Sequence, residues 1–114
     1  MAENELAAAF KDAFPVNPGH TLIVPKRHVK GLFELDPDEL AALWLLLPEV
    51  KQRLDARHSP AGYNIGVNVG EAAGQTVAHV HVHLIPRYAG DVEDPRGGVR
   101  WVVPERAAYW AIRS

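Results

Sequence analysis

Residues 78–86 constrain the fold of this chain more than any other stretch, because histidine alternates there with Val, Val and Leu. Alternation of polar and apolar residues with a period of two is typical of a β-strand that has one face in a core. The three imidazoles are therefore expected to project from one face, each about 6.5 Å from the next. They belong to His79, His81 and His83. Pro86 cannot donate a ladder hydrogen bond, which predicts that the strand ends there or reaches a sheet edge.

From these residues alone, the histidine row has three interpretations. The first is a solvent-exposed polar face that is rich in histidine by chance. The second is a metal site, because neutral imidazole is a common ligand for zinc, copper and iron. The third is a phosphate site, in which one neutral imidazole is the nucleophile and its neighbours handle charge and protons.

The residues around the row favour the phosphate site over a functional metal. Residues 70–76 form a loop of small residues that offers backbone N–H groups and a hydroxyl to an anion. Asn68 adds an amide, and Arg87 adds a cation at the end of the strand. The run holds no carboxylate and no histidine follows His83, so we expect no functional metal. Three imidazoles on one face would still bind nickel or zinc in vitro.

The composition argues against several other function classes. With no cysteine among its 114 residues, the chain has no disulfide, thiolate zinc site or cysteine nucleophile. A net charge of −2 and the lack of a basic run argue against nucleic acid as a partner. The longest apolar run, residues 40–48, is too short to span a membrane, and residues 1–6 lack the pattern of a signal peptide. We therefore expect one cytoplasmic domain over residues 1–114.

Alternation and turn signals predict the remaining elements. Strands are expected at 6–12, where the alanines would also suit a short helix, and at 20–25, 63–69 and 99–103. A short terminal helix is expected at 105–112. One long helix is expected to begin after Asp36, a good N-cap with Glu39 in the position of a capping box. Pro48 predicts a kink in that helix, because proline removes a backbone hydrogen bond.

The apolar stripe of the long helix is wider than one core requires. Its members step by three and four residues and are Leu40, Leu43, Leu47, Val50 and Leu54. Trp44, Leu45 and Leu46 add apolar width beside it. Extra apolar width suggests a second buried surface, so we expect a homodimer.

Three spaced blocks of the sequence resemble the histidine triad (HIT) superfamily. Residues 79–85 match its signature, in which three histidines alternate with apolar residues and a further apolar residue follows. Residues 18–28 are similar to a second family block, and residues 62–68 and 73–76 are similar to the loop that enters the triad. The resemblance covers the chain from about residue 6 to residue 91.

The resemblance implies an α+β fold with a five-stranded antiparallel sheet, one long helix and a short C-terminal helix. It also implies a dimer whose two sheets join across the twofold axis, in agreement with the wide helix stripe. Members hydrolyse or transfer nucleoside monophosphates through a nucleotidyl-histidine intermediate, so a nucleotide is the expected substrate.

The resemblance also implies roles for four histidines. By position in the family motif, His81 is the nucleophile that attacks the α-phosphorus. His83 is similar to the residue that contacts the phosphate and helps the leaving group, and His79 steadies the face of the strand. His20 corresponds to a fourth family histidine that orients or relays protons; its alternative is a core histidine with satisfied hydrogen bonds. No built-in cofactor is implied, and any divalent cation would arrive with the substrate.

The same resemblance assigns the substrate-binding residues. Four of them would hold phosphate oxygens, namely Asn68, Gly74, Gln75 and Thr76. Asp12 aligns with the acid that binds the ribose, and Phe10 with an apolar residue of the base pocket. These two residues lie on one face of the strand expected at 6–12, which is consistent with a shared pocket.

Details around the triad separate the family's branches. Histidine at position 83 favours hydrolysis, because nucleotidyl transferases of the superfamily tend to carry glutamine there. The Gly-Gln-Thr-Val before the triad and the Ile-Pro-Arg after it are most similar to dinucleoside-polyphosphate hydrolases, with phosphoramidases close behind. A non-catalytic nucleotide sensor on the same fold is the remaining alternative.

Two regions depart from the family pattern. Fewer residues precede Asp12 than in the usual members, which leaves the expected base pocket without part of its lining. Residues 91–114 form a tail outside the shared signature. We expect Trp101 or Arg100 of this tail to close the exposed site.

Overall fold

The histidine strand is an inner strand of a five-stranded antiparallel sheet. The computed structural model describes residues 1–111, and its strands are β1 Ala2–Glu3, β2 Ala7–Lys11, β3 Thr21–Pro25, β4 Gly62–Val67 and β5 Val82–Arg87. Their order across the sheet is β1-β2-β3-β5-β4, and all neighbours are antiparallel. The α+β class and the five-stranded sheet expected from the sequence are confirmed.

Three predicted strands are confirmed, and the histidine strand is shorter than expected. β2, β3 and β4 agree with the predicted 6–12, 20–25 and 63–69 to within two residues. β5 begins only at Val82, because the N–H of Val80 donates to the carbonyl of Val29 in a loop (2.8 Å) instead of to a strand. The side chains nevertheless alternate as predicted, since Val80 and Val82 are buried and His81 between them is half-buried. β1 has two residues, too few for a periodic pattern.

The α-helix of the described chain, α1 (Pro37–His58), begins where the sequence predicts. The N–H of Asp36 donates to Glu39 (2.9 Å) as in a capping box, and Arg27 donates two hydrogen bonds to the same carboxylate (2.9 and 2.7 Å). The guanidinium of Arg27 and the N–H of Asp36 lower the pKa of Glu39 to about 2. These contacts tie the start of α1 to the loop after β3. α1 continues through Pro48, where the expected kink stays a prediction.

α1 covers one face of the sheet, and the core lies between them. Side chains of α1 pack on the inward face of β2, β3 and β5. The largest fully buried ones include Ile23, Leu43, Leu54 and Leu84. Burial of each such side chain contributes about 1.5–3 kcal/mol to the hydrophobic free energy of folding. No helix within residues 1–111 is both long and apolar enough to cross a membrane.

The residues expected to widen the stripe of α1 do not all face outward. Leu46 is only 3% exposed and belongs to the core of its own chain, so its assignment to a second surface was wrong. Trp44 and Leu45 are exposed at 40% and 70%. The extra apolar surface of α1 is therefore narrower than the sequence suggested.

Residues 98–111 form short 3-10 turns instead of the strand and the helix expected at 99–103 and 105–112. The turns are Gly98–Val102, Pro104–Arg106 and Tyr109–Ala111, and Ile112 lies outside the described residues. Positive φ angles at Gly97 (+94°) and Gly98 (+48°) start the first turn, a conformation that glycine adopts without Cβ strain. The chain therefore turns where an extended strand was expected.

Candidate active site

The face of the sheet opposite α1 carries a cavity of about 560 Å³, the triad cavity. The cross-strand register places Phe10 opposite Leu22 and Leu22 opposite His83, so these side chains share that face. Nine of the ten residues expected in the site line the triad cavity. They are Phe10, Asp12, His20, Asn68, Gly74, Thr76, His79, His81 and His83.

Asp12 and His20 lie at the two ends of a loop that closes one side of the triad cavity. The N–H of Asp12 donates to the carbonyl of His20 (3.0 Å) across the loop. Inside it, the N–H of Phe14 donates to the carboxylate of Asp12 (2.8 Å) and the N–H of Val16 donates to Nδ1 of His20 (3.0 Å). The loop backbone therefore orients both the carboxylate and the imidazole.

The hydrogen bond from Val16 decides where the protons lie in the His20–His83 pair. Nδ1 of His20 accepts that bond and carries no proton, so a neutral His20 is protonated at Nε2. Nε2 of His20 lies 2.9 Å from Nδ1 of His83 and 3.4 Å from Oδ2 of Asp12. Nδ1 of His83 is therefore an acceptor, and the proton of a neutral His83 lies on Nε2. That N–H is a hydrogen-bond donor for a ligand in the cavity.

His81 has the opposite tautomer. Its Nδ1 lies 3.0 Å from the carbonyl oxygen of His79, which can only accept, so Nδ1 carries the proton. Nε2 of a neutral His81 therefore holds a lone pair, and the half-buried ring lines the triad cavity. An imidazole nitrogen with a free lone pair in a cavity is able to act as a nucleophile or a general base.

His79 braces the segment that precedes β5. Its Nε2 donates to the carbonyl of Pro25 (3.0 Å) at the end of β3, and its ring lies beside that of His28 at a centroid distance of 5.0 Å. This contact fixes the carbonyl that accepts from His81, although His79 itself lies outside the strand. The contact between His79 and His28 was not predicted from the sequence. His28 follows the exposed cations Lys26 and Arg27, and no sequence pattern distinguishes it from them.

Burial favours the neutral form of both imidazoles in the His20–His83 pair. Burial lowers the pKa of His20, and the carboxylate of Asp12 offsets part of that effect. Burial also lowers the pKa of His83, and the imidazoles of His81 and His20 act in the same direction. Neutral rings agree with the hydrogen-bond pattern, because a second proton on His20 would meet the N–H of Val16.

The structure does not bring the side chain of Gln75 into the triad cavity. Its Oε1 accepts from the N–H of Gly70 (2.9 Å), and its Nε2 donates to the carbonyls of Lys30 (2.7 Å) and Val77 (3.0 Å). Gln75 therefore holds the shape of the loop between β4 and β5 and ties it to the segment after β3. Gly74 beside it lines the cavity with a φ of +92°, a conformation that favours glycine.

Asp12, His20 and His83 form the one group within residues 1–111 whose ligand atoms lie close enough together to hold a metal ion, all within 4.8 Å. A metal on Nε2 of His20 would have to replace its proton while Nδ1 still accepts from Val16, which would require an imidazolate. The facing nitrogens of the two histidines are also already bridged at 2.9 Å. This arrangement fits a shared proton better than a metal ion.

The apolar part of the triad cavity was not predicted from the sequence. Its members are Phe14, Val16, Leu22, Val24 and Val77. Phe14 is 88% exposed and Val16 is 68% exposed, and the two flank Pro15 in a turn. The sequence carried one signal for Phe14 and Val16. They are apolar residues in a turn rich in proline and glycine, whereas such turns are usually polar.

A larger cavity of about 870 Å³ adjoins the triad cavity and shares Phe10, Asp12 and His20 with it. The C-terminal end of α1 forms its other side, with Arg57 and His58 in the lining. A ligand bound at the histidines therefore has room to extend past Asp12 into this larger cavity.

Comparison with known proteins gives the site a family context. The HIT domain model matches residues 1–90. An uncharacterised HIT-like protein of Mycoplasma pneumoniae is 48% identical over 88 residues, which are 77% of this chain and 61% of that protein. The asymmetrical bis(5′-nucleosyl)-tetraphosphatase of Schizosaccharomyces pombe is 43% identical over 90 residues, which are 79% of this chain and 50% of that enzyme.

A solved structure supports the same relation. The HIT family protein of Bacillus anthracis superposes with a TM-score of 0.76 at 41% identity, covering 80% of this chain and 64% of that one. The chain spans between half and about three fifths of the length of the two curated relatives named above. The matched residues include the whole of the histidine row, and the tail from residue 91 lies beyond the family model.

Proposed function

The chain is a member of the HIT domain family, and from that premise we propose that it is a nucleotide hydrolase that forms a covalent nucleotidyl intermediate on His81. One observation carries the proposal. The hydrogen bond to the carbonyl of His79 leaves Nε2 of His81 unprotonated in the cavity, next to an imidazole whose Nε2 is protonated, that of His83. The pair supplies a nucleophile and a donor to the same ligand.

In the first step, Nε2 of His81 attacks the α-phosphorus of the bound nucleotide. A phosphorus–nitrogen bond forms while the bond to the leaving oxygen breaks, and the leaving group takes the bonding electrons. Nε2–H of His83 donates to a phosphate oxygen as negative charge develops, and the amide of Asn68 and the hydroxyl of Thr76 offer further donors.

In the second step, water attacks the phosphorus and the phosphorus–nitrogen bond breaks. The bonding electrons return to Nε2 of His81, the mononucleotide leaves, and the proton of the water passes to solvent. His20 and His79 are positioning residues in this scheme. His20 sets the tautomer of His83, and His79 presents the carbonyl that sets the tautomer of His81.

The substrates we propose are dinucleoside polyphosphates and related nucleoside-5′-phosphoryl compounds. The relative from S. pombe carries a tetraphosphatase name, and the cavity beyond Asp12 has room for a nucleoside. The carboxylate of Asp12 would accept from the ribose and Phe10 would contact the base. A phosphoramidase activity is the alternative, because the same intermediate forms whichever atom leaves phosphorus.

The proposal is tested by rapid-quench mass spectrometry of the protein with diadenosine triphosphate and, separately, with adenosine 5′-phosphoramidate. We expect an acid-labile adenylyl adduct on the wild type and on Gln52→Ala, an exposed control on α1 outside the triad cavity, and none on His81→Ala. An adduct with the phosphoramidate alone would identify a phosphoramidase. Binding without adduct or mononucleotide for both compounds would contradict the proposal and point to a nucleotide sensor.

We propose that the reaction uses no resident metal. The His20–His83 pair is bridged by a proton, and the nucleophile is a neutral imidazole that needs no Lewis acid to activate it. Treatment with a strong chelator followed by assay on adenosine 5′-phosphoramidate should leave the rate unchanged. Loss of activity that returns on adding zinc would contradict this part of the proposal.

We also propose that two copies of the chain associate. The second copy would cover the exposed apolar side chains of Leu40, Trp44 and Leu45 on α1. The outer edge of β4 has no strand beside it within residues 1–111, so it also offers unpaired backbone groups to a second copy. Sedimentation should show a dimer for the wild type and a monomer for Trp44→Glu. A wild type that sediments as a monomer at assay concentrations would contradict the association.

A further inference from the structure

Two adjoining cavities lie between the histidines and the C-terminal tail. A cavity of about 340 Å³ shares His20, His83 and Asn68 with the triad cavity, but His81 does not line it. This cavity shares Asn64, Ile85 and Gly98 with a further one of about 440 Å³, which ends at Trp101. We call the two together the tail groove. Its floor is the face of β4 and β5, and its far wall is the tail.

The tail forms an ordered wall of the groove. Arg87 at the end of β5 donates two hydrogen bonds to Asp91 (2.8 and 2.9 Å). Arg100 donates to the carbonyls of Arg106 (2.6 Å) and Ala107 (3.0 Å), so it holds the last turns in place. The side chain of Arg100 is thus engaged within the tail itself, and of the two residues expected to close the site it is Trp101 that lines the groove.

The indole of Trp101 is fixed and partly open. Its Nε1 donates to the carbonyl of Arg96 (2.8 Å), and the residue is 45% exposed. Gly98 brings the tail against the sheet, since a Cβ at that position would lie 3.3 Å from the amide nitrogen of Asn64. A ring held in one orientation with an open surface is suited to stacking on another planar ring.

The charges of the tail groove favour an uncharged group at its far end. The guanidinium of Arg87 is bound by Asp91 and by Asn64 (2.6 Å), and that of Arg96 is bound by Asp94 (3.0 Å). The remaining lining is largely apolar or amide, with Val16, Ile85 and Val99 among its members. Phosphates are therefore expected to stay near the histidines, and a planar apolar group to occupy the end near Trp101.

We propose that the tail groove binds the leaving group of the reaction, with its distal nucleobase stacked on Trp101. This inference rests on the proposed function. In an in-line displacement the leaving group departs on the side opposite the nucleophile. His83 and His20 line both the tail groove and the triad cavity, whereas His81 lines the triad cavity and not the tail groove. The run along β5 from His83 to Arg87 is about 13 Å, which leaves room for a short phosphate bridge before the base. The tail thereby selects two-nucleoside substrates.

The test compares two substrates that donate the same adenylyl group. Diadenosine triphosphate has a distal base and adenosine 5′-phosphoramidate has none. For Trp101→Ala we expect about a tenfold loss of kcat/KM with diadenosine triphosphate, as for the loss of one stacked base, and no change with the phosphoramidate. Trp101→Phe should retain most of the activity. Val102→Ala, a tail residue that is 83% exposed and does not line the groove, should behave as the wild type with both substrates.

Single-turnover kinetics separate this role from a merely structural one. The leaving group departs in the first step, so Trp101→Ala should slow the formation of the adduct from diadenosine triphosphate and leave its hydrolysis unchanged. Equal losses with both substrates, or no loss with either, would overturn the inference. If the wild type forms no adduct on His81 with either substrate, the proposed function itself fails, which is a different and recognisable result.

Discussion

The two faces of β5 use the same backbone for different purposes. On the inner face, Val82 and Leu84 are 1% and 2% exposed and pack against the core beneath α1. On the outer face, His83 is half-buried, and its Nδ1 is placed by a single hydrogen bond 2.9 Å long. Apolar packing is non-directional, whereas a hydrogen bond to one ring nitrogen determines where a proton lies.

This difference separates stability from chemistry along one strand. Truncation of an inner side chain removes buried area and leaves a cavity, and the cost appears in the free energy of unfolding. Truncation of an outer imidazole removes little buried area but abolishes a protonation pattern, and the cost is expected in the rate of the proposed reaction. Adjacent residues are therefore expected to give opposite results in stability and activity measurements.

The largest effect is expected from His81→Ala. Loss of the proposed nucleophile should lower kcat/KM by about 10⁴-fold or more, about 5 kcal/mol of transition-state stabilisation, while the melting temperature changes little. Steady-state hydrolysis of diadenosine triphosphate and a thermal melt measure the two quantities. Substantial residual activity in a folded His81→Ala protein would contradict the proposed difference between the two faces of β5, because the reaction would then not depend on His81.

The next largest effect is expected from Leu84→Ala on the inner face. It should lower the free energy of unfolding by about 2–5 kcal/mol, because the lost contacts leave a cavity beneath α1. Denaturant titration measures this loss, with Val102→Ala as an exposed control. At temperatures where the protein stays folded, kcat/KM should match the wild type. A large loss of activity without a loss of stability would show that the two faces are not independent.

A smaller effect is expected from Gln75→Ala in the loop beside the row. Three hydrogen bonds that shape the loop disappear, each worth about 0.5–1.5 kcal/mol, so the backbone at Gly74, which we propose to bind phosphate, loses its fixed position. We expect kcat/KM to fall about tenfold and the free energy of unfolding to fall by about 1.5 kcal/mol or more, as for the loss of three hydrogen bonds. Gln52→Ala on the exposed surface of α1 is the matched control. Unchanged kinetics would show that this loop does not contact the phosphate.

The smallest effect is expected from pH. The folded-state pKa values of His20 and His83 are lowered from 6.5, so the unfolded chain binds protons first as the pH falls. The contribution of these groups to stability is complete above pH 6.5 and is lost progressively below it, down to the folded-state pKa values. Thermal melts of the wild type and His20→Asn across this range should show a weaker pH dependence in the variant. An equal pH dependence of the melting temperature in both proteins would mean that other titratable groups determine it.

Local patterns predicted what depends on neighbours in the sequence. The capping box of Asp36 and Glu39, and the alternation around His81, need only adjacent residues and were found as expected. The strand expected at 99–103 does not form, because Gly97 and Gly98 adopt positive φ angles that allow the tail to turn back on the sheet. Gln75 was expected to hold phosphate, but its side-chain amide donates to the carbonyl of Lys30, which only the fold brings near it.

The sequence by itself determined that the imidazoles of His79, His81 and His83 share one face, because a period of two has a direct geometric meaning in extended chain. It did not determine which ring nitrogen is free. That was decided by acceptors and donors from distant elements, since His83 meets His20 across 63 positions of sequence and His79 meets Pro25 across 54. A proton follows its hydrogen-bond partner, and only the tertiary structure supplies the partner.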